Sequence, residues 1–132
     1  MKVGADMKQL FTFMLIAAII LVPIAGAISS LGEASGRPLV LTLNIDDMIT
    51  AGTAARIERA VIEAENRSAS ALVLILDTPG GLVDATLDII SHLSASKIPV
   101  ITFVAPQGAI AASAGAFILL GGHITAMSPG TT

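Results

Sequence analysis

The sequence contains no cysteine, tryptophan or tyrosine, and only 13% of its residues are charged. Without cysteine it can form no disulfide and no thiolate metal site, and it has no cysteine nucleophile. The net charge is −3, whereas a nucleic-acid-binding protein typically has an excess of basic residues. A hydrophobic content of 54% over 132 residues excludes a disordered chain. We therefore expect one folded domain with an aliphatic core and no nucleic-acid partner.

The N-terminus is the most apolar part of the chain. Lys2 and Lys8 precede an apolar run over residues 10–28, and Ala25-Gly26-Ala27 fits a signal-peptidase site. The run also approaches the ~20 residues that span a bilayer. Residues 1–28 are thus predicted to form a hydrophobic helix that is either a cleaved signal peptide or a retained membrane anchor. Because the positive flank is N-terminal, both alternatives predict an exported, extracytoplasmic domain.

After a predicted linker at residues 29–37, residues 38–132 alternate between apolar runs and amphipathic segments. This alternation is typical of an α/β domain with a mainly parallel sheet built from right-handed βαβ units. The predicted strands are 38–45, 71–76, 99–105 and 124–127, and the predicted helices are 50–66, 83–94 and 111–120. The residues expected to face inward are Ala54, Ile57, Val61 and Ala64 in the first helix and Val83, Leu87 and Ile90 in the second.

A glycine-containing turn, Asp77-Thr78-Pro79-Gly80-Gly81, follows the buried strand 71–76. Open α/β sheets bind their ligands at this end of their strands. Pro79 and Gly80 fit the central positions of a type II turn, and Gly81 has no Cβ to keep its N–H away from a ligand. The alternative is a tight turn with a structural role only.

Ser113 lies among small residues at 108–115, after the next strand, and so is expected at the same edge of the sheet. It opens a predicted helix whose N-terminal field favours negative charge. Alone, such a serine is also a common helix N-cap. A turn glycine and this serine at one edge together favour a functional site.

Two runs, ALVLILDTPGG and KIPVITFVAPQGAIAASAGAFILLGGHITAMSPGTT, resemble the NfeD-type membrane-bound serine proteases. These proteins belong to the Clp protease and crotonase-like superfamily and are similar to signal peptide peptidase A. The resemblance covers residues 39–132 and implies a Clp/crotonase-like fold. It implies that Ser113 is the nucleophile and that the backbone N–H groups of Gly81 and Ala114 form the oxyanion hole.

The resemblance also implies how substrate binds and what else the protein needs. Gly80, Leu82 and Val83 would bind substrate, with the extended stretch near Leu82 and Val83 pairing with its backbone as an added strand. The implied protein is a membrane-associated endopeptidase that cleaves hydrophobic or membrane-protein segments. The resemblance implies that its partner is a stomatin-like protein and that the complete protein is a homo-oligomer. No cofactor and no metal are expected.

The general base of this family is a lysine on a segment that would follow Thr132. The domain at 38–132 is therefore expected to be truncated on its C-terminal side, and this fragment to be inactive. His123 would lie roughly 15 Å from Ser113 if the segment between them is helical, and Lys97 lies at the far end of its strand. A general base must lie within about 3 Å of the serine hydroxyl, so neither residue can serve as the base.

Two alternatives to the protease remain open. One is a peptide-binding remnant without catalysis, and the other is a crotonase-like acyl-CoA enzyme, which needs no serine nucleophile. Asp84, Asp88 and His92 share one helix face, which we expect to be solvated, so no metal site is assigned to them.

Overall fold

Four parallel strands lie side by side in the order in which they occur in the sequence, β1-β2-β3-β4. The computed structural model describes residues 37–132. The elements are β1 (Val40–Ile45), α1 (Ala51–Asn66), β2 (Ala71–Leu76), α2 (Val83–Ala95), β3 (Val100–Val104), α3 (Ala114–Gly121) and β4 (Ile124–Met127). This arrangement confirms the predicted α/β class. The predicted hydrophobic helix at 1–28 lies outside the described residues, as does the linker apart from residue 37.

The two central strands carry the core of the domain. In β2 and β3, alternate residues face the helices and are fully buried, with Leu72 opposite Val100 and Leu76 opposite Val104. The intervening residues, such as Ile75 and its neighbour Phe103, are half-buried. A strand that is apolar on both faces is expected in a parallel sheet, and it explains why β2 is an unbroken apolar run and β3 is one apart from the buried Thr102.

Helix α1 begins at Ala51, one residue later than predicted, and buries the predicted face. The Thr50 hydroxyl accepts a hydrogen bond from the Thr53 N–H, and the Thr53 hydroxyl accepts one from the Thr50 N–H, each at 3.3 Å. This reciprocal pair satisfies two backbone donors that the first turn would otherwise leave unpaired. The buried residues include all of the predicted set, which is Ala54, Ile57, Val61 and Ala64.

The prediction that Val83, Leu87 and Ile90 of α2 face the core is wrong. Val83 is 71% exposed and Leu87 is 60% exposed, and Ile90 is only half-buried. The helix instead buries Ala85, Thr86, Ile89 and Leu93. Because α2 packs against both α1 and α3, the positions of those two helices select the face that is covered. Both stripes satisfy the helical period, so periodicity alone does not distinguish them.

Helix α3 begins at Ala114, three residues later than predicted. Ala111 is held in a β-bridge with Thr78, and Ser113 has a positive φ of 51°, which no α-helix accommodates. Ala114, Gly115 and Ile118 then form the buried side of the helix. The late start leaves Ser113 at the junction between loop and helix.

Beyond the carboxyl ends of the strands, the connecting segments pair with one another a second time. Ile49 pairs with Gly81, and Thr78 pairs with Ala111. The Ala111 N–H then donates to the carbonyl of Thr132 at 2.7 Å. These bridges hold the segments that follow all four strands against each other at one edge of the sheet.

The described domain also exposes large apolar side chains. Phe117 is 64% exposed, Leu120 is 75% exposed, and every residue of β4 is exposed. Apolar patches and open strand edges promote association. We therefore predict that a polypeptide of residues 28–132 self-associates or remains molten, which size-exclusion chromatography and a thermal melt will show.

The control is the same polypeptide with Phe117→Ser and Leu120→Ser, which should associate less because the exposed apolar area is smaller. A sharp two-state melt of the unsubstituted polypeptide at the mass of a monomer would contradict the prediction.

Candidate active site

Ser113 adopts a backbone conformation that is rare for a residue with a side chain. Its φ is 51° and its ψ is −115°, and its hydroxyl makes no capping hydrogen bond to α3. The alternative that this serine is a helix N-cap through its side chain is therefore wrong. A conformation of this kind costs on the order of 1–3 kcal/mol and is found preferentially at functional sites.

The Gly80–Gly81 turn lies directly against Ser113. Gly80 has a φ of 108°, and a Cβ added to it would lie 2.8 Å from the Ser113 Cβ and 2.9 Å from the carbonyl oxygen of Ala112. A Cβ on Gly81 would overlap the backbone of Ile49. The positive φ of Gly80 is the one that the predicted type II turn requires at this position. Both glycines are thus needed because neighbouring backbones leave no room for a side chain.

Two residues that the sequence analysis did not single out hold the loop before Ser113. Asp77 accepts a hydrogen bond from the Ile110 N–H through its Oδ1 at 3.0 Å. The Thr78 N–H donates to the Ile110 carbonyl at 2.7 Å, and the Thr78 carbonyl accepts from the Ala112 N–H at 3.1 Å. The one available signal was that these two polar residues sit between a buried strand and a Pro-Gly turn, which is where side chains anchor loops.

A cavity of about 180 Å³ lies beside Ser113. Its walls are mainly apolar and come from α2 and α3. The lining includes the three α2 residues that were predicted to face the core. The full lining is Gly81, Val83, Thr86, Leu87, Ile90, Ser113, Ala114 and Phe117. The outer apolar stripe of α2 therefore forms a wall of this cavity and is not part of the core.

The cavity brings together all three residues predicted for nucleophilic attack, Ser113, Gly81 and Ala114. Within residues 37–132, the backbone N–H groups of Gly81 and Ala114 donate no hydrogen bond. A Cβ on Gly80 would lie 3.2 Å from the Ala114 nitrogen, so the turn and the first residue of α3 are in close contact. Both N–H groups thus belong to residues that line the cavity and are left without an acceptor in the described residues.

The backbone at Leu82 and Val83 does not form the extended stretch that was predicted to pair with substrate. Val83 is already the first residue of α2. The Leu82 N–H donates to the Ile49 carbonyl at 2.8 Å, and the Leu82 carbonyl accepts from the Thr86 N–H at 3.1 Å and from the Thr86 hydroxyl at 2.7 Å. The predicted extended stretch therefore ends at Leu82, whose backbone groups are already paired. Both side chains are exposed.

The two rejected candidates for the base lie at the opposite edge of the sheet. His123 accepts a hydrogen bond from the Val100 N–H through its Nδ1 at 3.1 Å, and Lys97 is exposed just before β3 with its N–H bound to Glu65. Ser113 follows the other end of β3. Among residues 37–132, no three acidic or histidine side chains are placed to hold a metal ion.

The family model described as the NfeD1b N-terminal domain matches residues 39–132. The chain belongs to this family. It is 45% identical over 96 residues to the membrane-bound protease PH1510 of Pyrococcus horikoshii and 31% identical over 94 residues to the membrane protein NfeD1b of Bacillus subtilis. These matches cover 73% and 71% of this chain but only 22% and 21% of the relatives. The chain thus spans about a fifth of the length of these curated relatives.

Solved structures confirm the Clp-like fold of this NfeD1b N-terminal domain. The 1510-N membrane protease of P. horikoshii, named as specific for a stomatin homolog, superposes with a TM-score of 0.69 at 45% identity, over 73% of this chain and 48% of the other. A variant of that protease in complex with a substrate peptide has a TM-score of 0.70, at 45% identity and with 73% and 44% coverage. ClpP1 of Listeria monocytogenes shares the fold at a TM-score of 0.62 and 24% identity, over 68% and 52% of the two chains. Across residues 37–132, the NfeD1b domain has no helix with the length and apolarity to span a membrane.

A pair of glycine substitutions tests the packing of the turn against Ser113. Gly80 and Gly108 both have positive φ, of 108° and 89°, but only Gly80 has atoms within 4 Å of an added Cβ. We predict that Gly108→Ala lowers the free energy of unfolding by about 1–2 kcal/mol, the cost of a left-handed backbone. Gly80→Ala should lower it further, because the methyl group must also displace Ser113. Urea unfolding of the two variants measures the difference, and equal destabilisation would contradict the contact.

Proposed function

We propose that this chain carries part of the catalytic domain of a membrane-associated serine endopeptidase, with Ser113 as its nucleophile. The observation that carries the proposal is the strained Ser113 in one cavity with the unpaired N–H groups of Gly81 and Ala114. Membership of the family and the likeness to named proteases support the same activity.

In the proposed reaction, Ser113 Oγ attacks the carbonyl carbon of a peptide bond and its proton passes to a general base. The negative charge that forms on the carbonyl oxygen is stabilised by the N–H groups of Gly81 and Ala114. One such donor contributes about 2.7–4 kcal/mol to catalysis in other serine hydrolases. The C–N bond then breaks as the amine takes the proton, and water hydrolyses the acyl-enzyme.

The base of this reaction is proposed to be a lysine beyond Thr132. Among the described residues, no lysine, histidine or carboxylate lines the cavity beside Ser113, and Lys97 and His123 lie at the far edge of the sheet. An unassisted serine hydroxyl is a weak nucleophile at neutral pH. The residues at hand would therefore bind and orient the reacting groups, while the proton transfer requires the lysine.

Hydrophobic peptide segments are the proposed substrate. The cavity beside Ser113 is lined by Val83, Leu87, Ile90 and Phe117, and such a wall favours an apolar side chain. The side chain of Leu82, next to Val83 in the sequence, is exposed, whereas Gly80, which was also expected to bind substrate, is buried with its N–H and carbonyl bonded to Thr78 and Ile49. Because a relative is named as a stomatin-specific protease, we propose a stomatin-like membrane protein as the partner.

The proposed location of this domain is the extracytoplasmic side of a membrane. The support comes from the basic and apolar N-terminal sequence and from relatives that are named as membrane proteins. The apolar surface around Phe117 and Leu120 agrees with a homo-oligomeric complete protein, because exposed apolar patches mark association sites.

Labelling with a fluorophosphonate tests the nucleophile. In the product of the complete gene, we expect the label on Ser113 and none after Ser113→Ala. The 132-residue chain should react at least ~1,000-fold more slowly, since loss of the base from a catalytic unit typically removes several orders of magnitude.

Mass spectrometry of the labelled peptide identifies the modified residue. Absence of label at Ser113 in the complete product would favour a peptide-binding remnant or an acyl-CoA enzyme. Peptide turnover by the 132-residue chain that disappears in Ser113→Ala would place a base within these residues and contradict the proposed lysine.

Substitution of Gly81 tests the oxyanion hole. We predict that Gly81→Val abolishes peptide cleavage and also lowers the melting temperature, because any side chain there displaces Ile49. The variant should still be found in the membrane fraction, since the N-terminal segment is recognised independently of the folded domain. Gly108→Val is the matched control, because its side chain meets open space but its positive φ of 89° means that valine there should also lower the melting temperature. Cleavage should nevertheless be retained, because Gly108 does not line the cavity beside Ser113. Wild-type cleavage by Gly81→Val would remove Gly81 from the oxyanion hole.

A further inference from the structure

Thr78 is a fully buried residue whose hydroxyl is hydrogen-bonded on both sides. The hydroxyl donates to the carbonyl of Asp47 at 2.7 Å and accepts from the N–H of Gly80 at 3.2 Å. The relative exposure of the residue is 0%. The side chain therefore joins the segment that follows β1 to the turn that carries Gly81, and its bond to the Gly80 N–H is buried, while its bond to the Asp47 carbonyl is partly buried.

The rest of Thr78 contacts the other half of the site. Its backbone pairs with Ile110 and Ala112, immediately before Ser113. Its Cγ2 packs against Gly115, where an added Cβ would lie only 2.7 Å away. One residue thus touches both the turn that holds Gly81 and the loop and helix that hold Ser113.

We propose that Thr78 is a positioning residue for the oxyanion hole, an inference that rests on the proposed function. Its hydroxyl holds the Gly80 N–H, and the Ile49 N–H donates to the Gly80 carbonyl at 2.9 Å, so the two bonds together orient the peptide whose N–H belongs to Gly81. Two consecutive glycines have few conformational restraints of their own. Without the hydroxyl, the Gly80 N–H would be buried and unpaired, a costly state that the turn can escape by moving.

A small displacement of the Gly81 N–H is enough to slow the proposed reaction. A displacement of about 1 Å in a positioned group can lower a reaction rate by about 100-fold. The Gly81 N–H acts only when charge develops on the substrate oxygen, so its displacement should slow the chemical step and leave binding nearly unchanged.

Thr102 provides a matched control. It is also 0% exposed, and its hydroxyl also bonds to two backbone atoms, the carbonyls of Leu119 at 2.7 Å and Ile124 at 3.3 Å. It does not line the cavity beside Ser113. Thr78→Val and Thr102→Val therefore remove the same group from equally buried sites, of which only one adjoins the turn.

The experiment uses the complete gene product and a fluorophosphonate at increasing concentrations. For Thr78→Val, we expect the maximal rate of Ser113 labelling to fall by about 100-fold, with little change in the half-saturating concentration. Thr78→Ser keeps the hydroxyl and should label at close to the wild-type rate. Thr102→Val should lose thermal stability, as Thr78→Val does, and keep the wild-type labelling rate.

Each result decides between the alternatives. A folded Thr78→Val protein with the wild-type maximal rate overturns the inference, and so does an equal loss of rate in Thr102→Val. If Thr78→Val does not fold, Thr78→Ser decides, because a folded serine variant with a strongly reduced rate shows that the hydroxyl is not sufficient and overturns the inference. A wild-type protein without label on Ser113 overturns the proposed function itself.

Discussion

The Gly80–Gly81 turn passes between two backbones that leave no space for a side chain, that of Ile49 on one side and that of residues 112–114 on the other. The parallel sheet makes this possible, because the segments that follow β1, β2 and β3 all emerge at the same edge. Main-chain contacts therefore hold the turn beside Ser113, and the Thr78 hydroxyl adds a side-chain bond to the Gly80 N–H. A site held in this way needs little reorganisation when charge develops in it.

The strain at Ser113 depends on the same contacts. A positive φ at a serine persists only where the surrounding structure imposes it. Here the bonds of Asp77 and Thr78 to residues 110–112 hold the loop in place, and the buried side of α3 holds the following residues. The result is a serine side chain that is free of capping bonds and exposed at the cavity.

Much of the fold could be predicted from local patterns. The bounds of β2 and the buried face of α1 agree with the prediction, because a continuous apolar run and a single apolar stripe each have one interpretation. Helix α2 has two apolar stripes, and the covered one became clear only once its neighbours were placed. The role of Thr78 was likewise invisible, since its partner Asp47 is 31 residues away in the sequence.

Local sequence patterns were sufficient to predict the order of strands and helices, the glycines of the turn, and the placement of that turn and Ser113 at one sheet edge. These features follow from periodicity, from the conformational freedom of glycine and from the direction of parallel strands. Three features became clear only in the folded domain: Val83, Leu87 and Ile90 line a cavity, the backbone of Leu82 is already paired with Ile49 and Thr86, and α3 starts after Ser113. Each of these outcomes depends on which distant segments lie alongside, and no local pattern of residues encodes that.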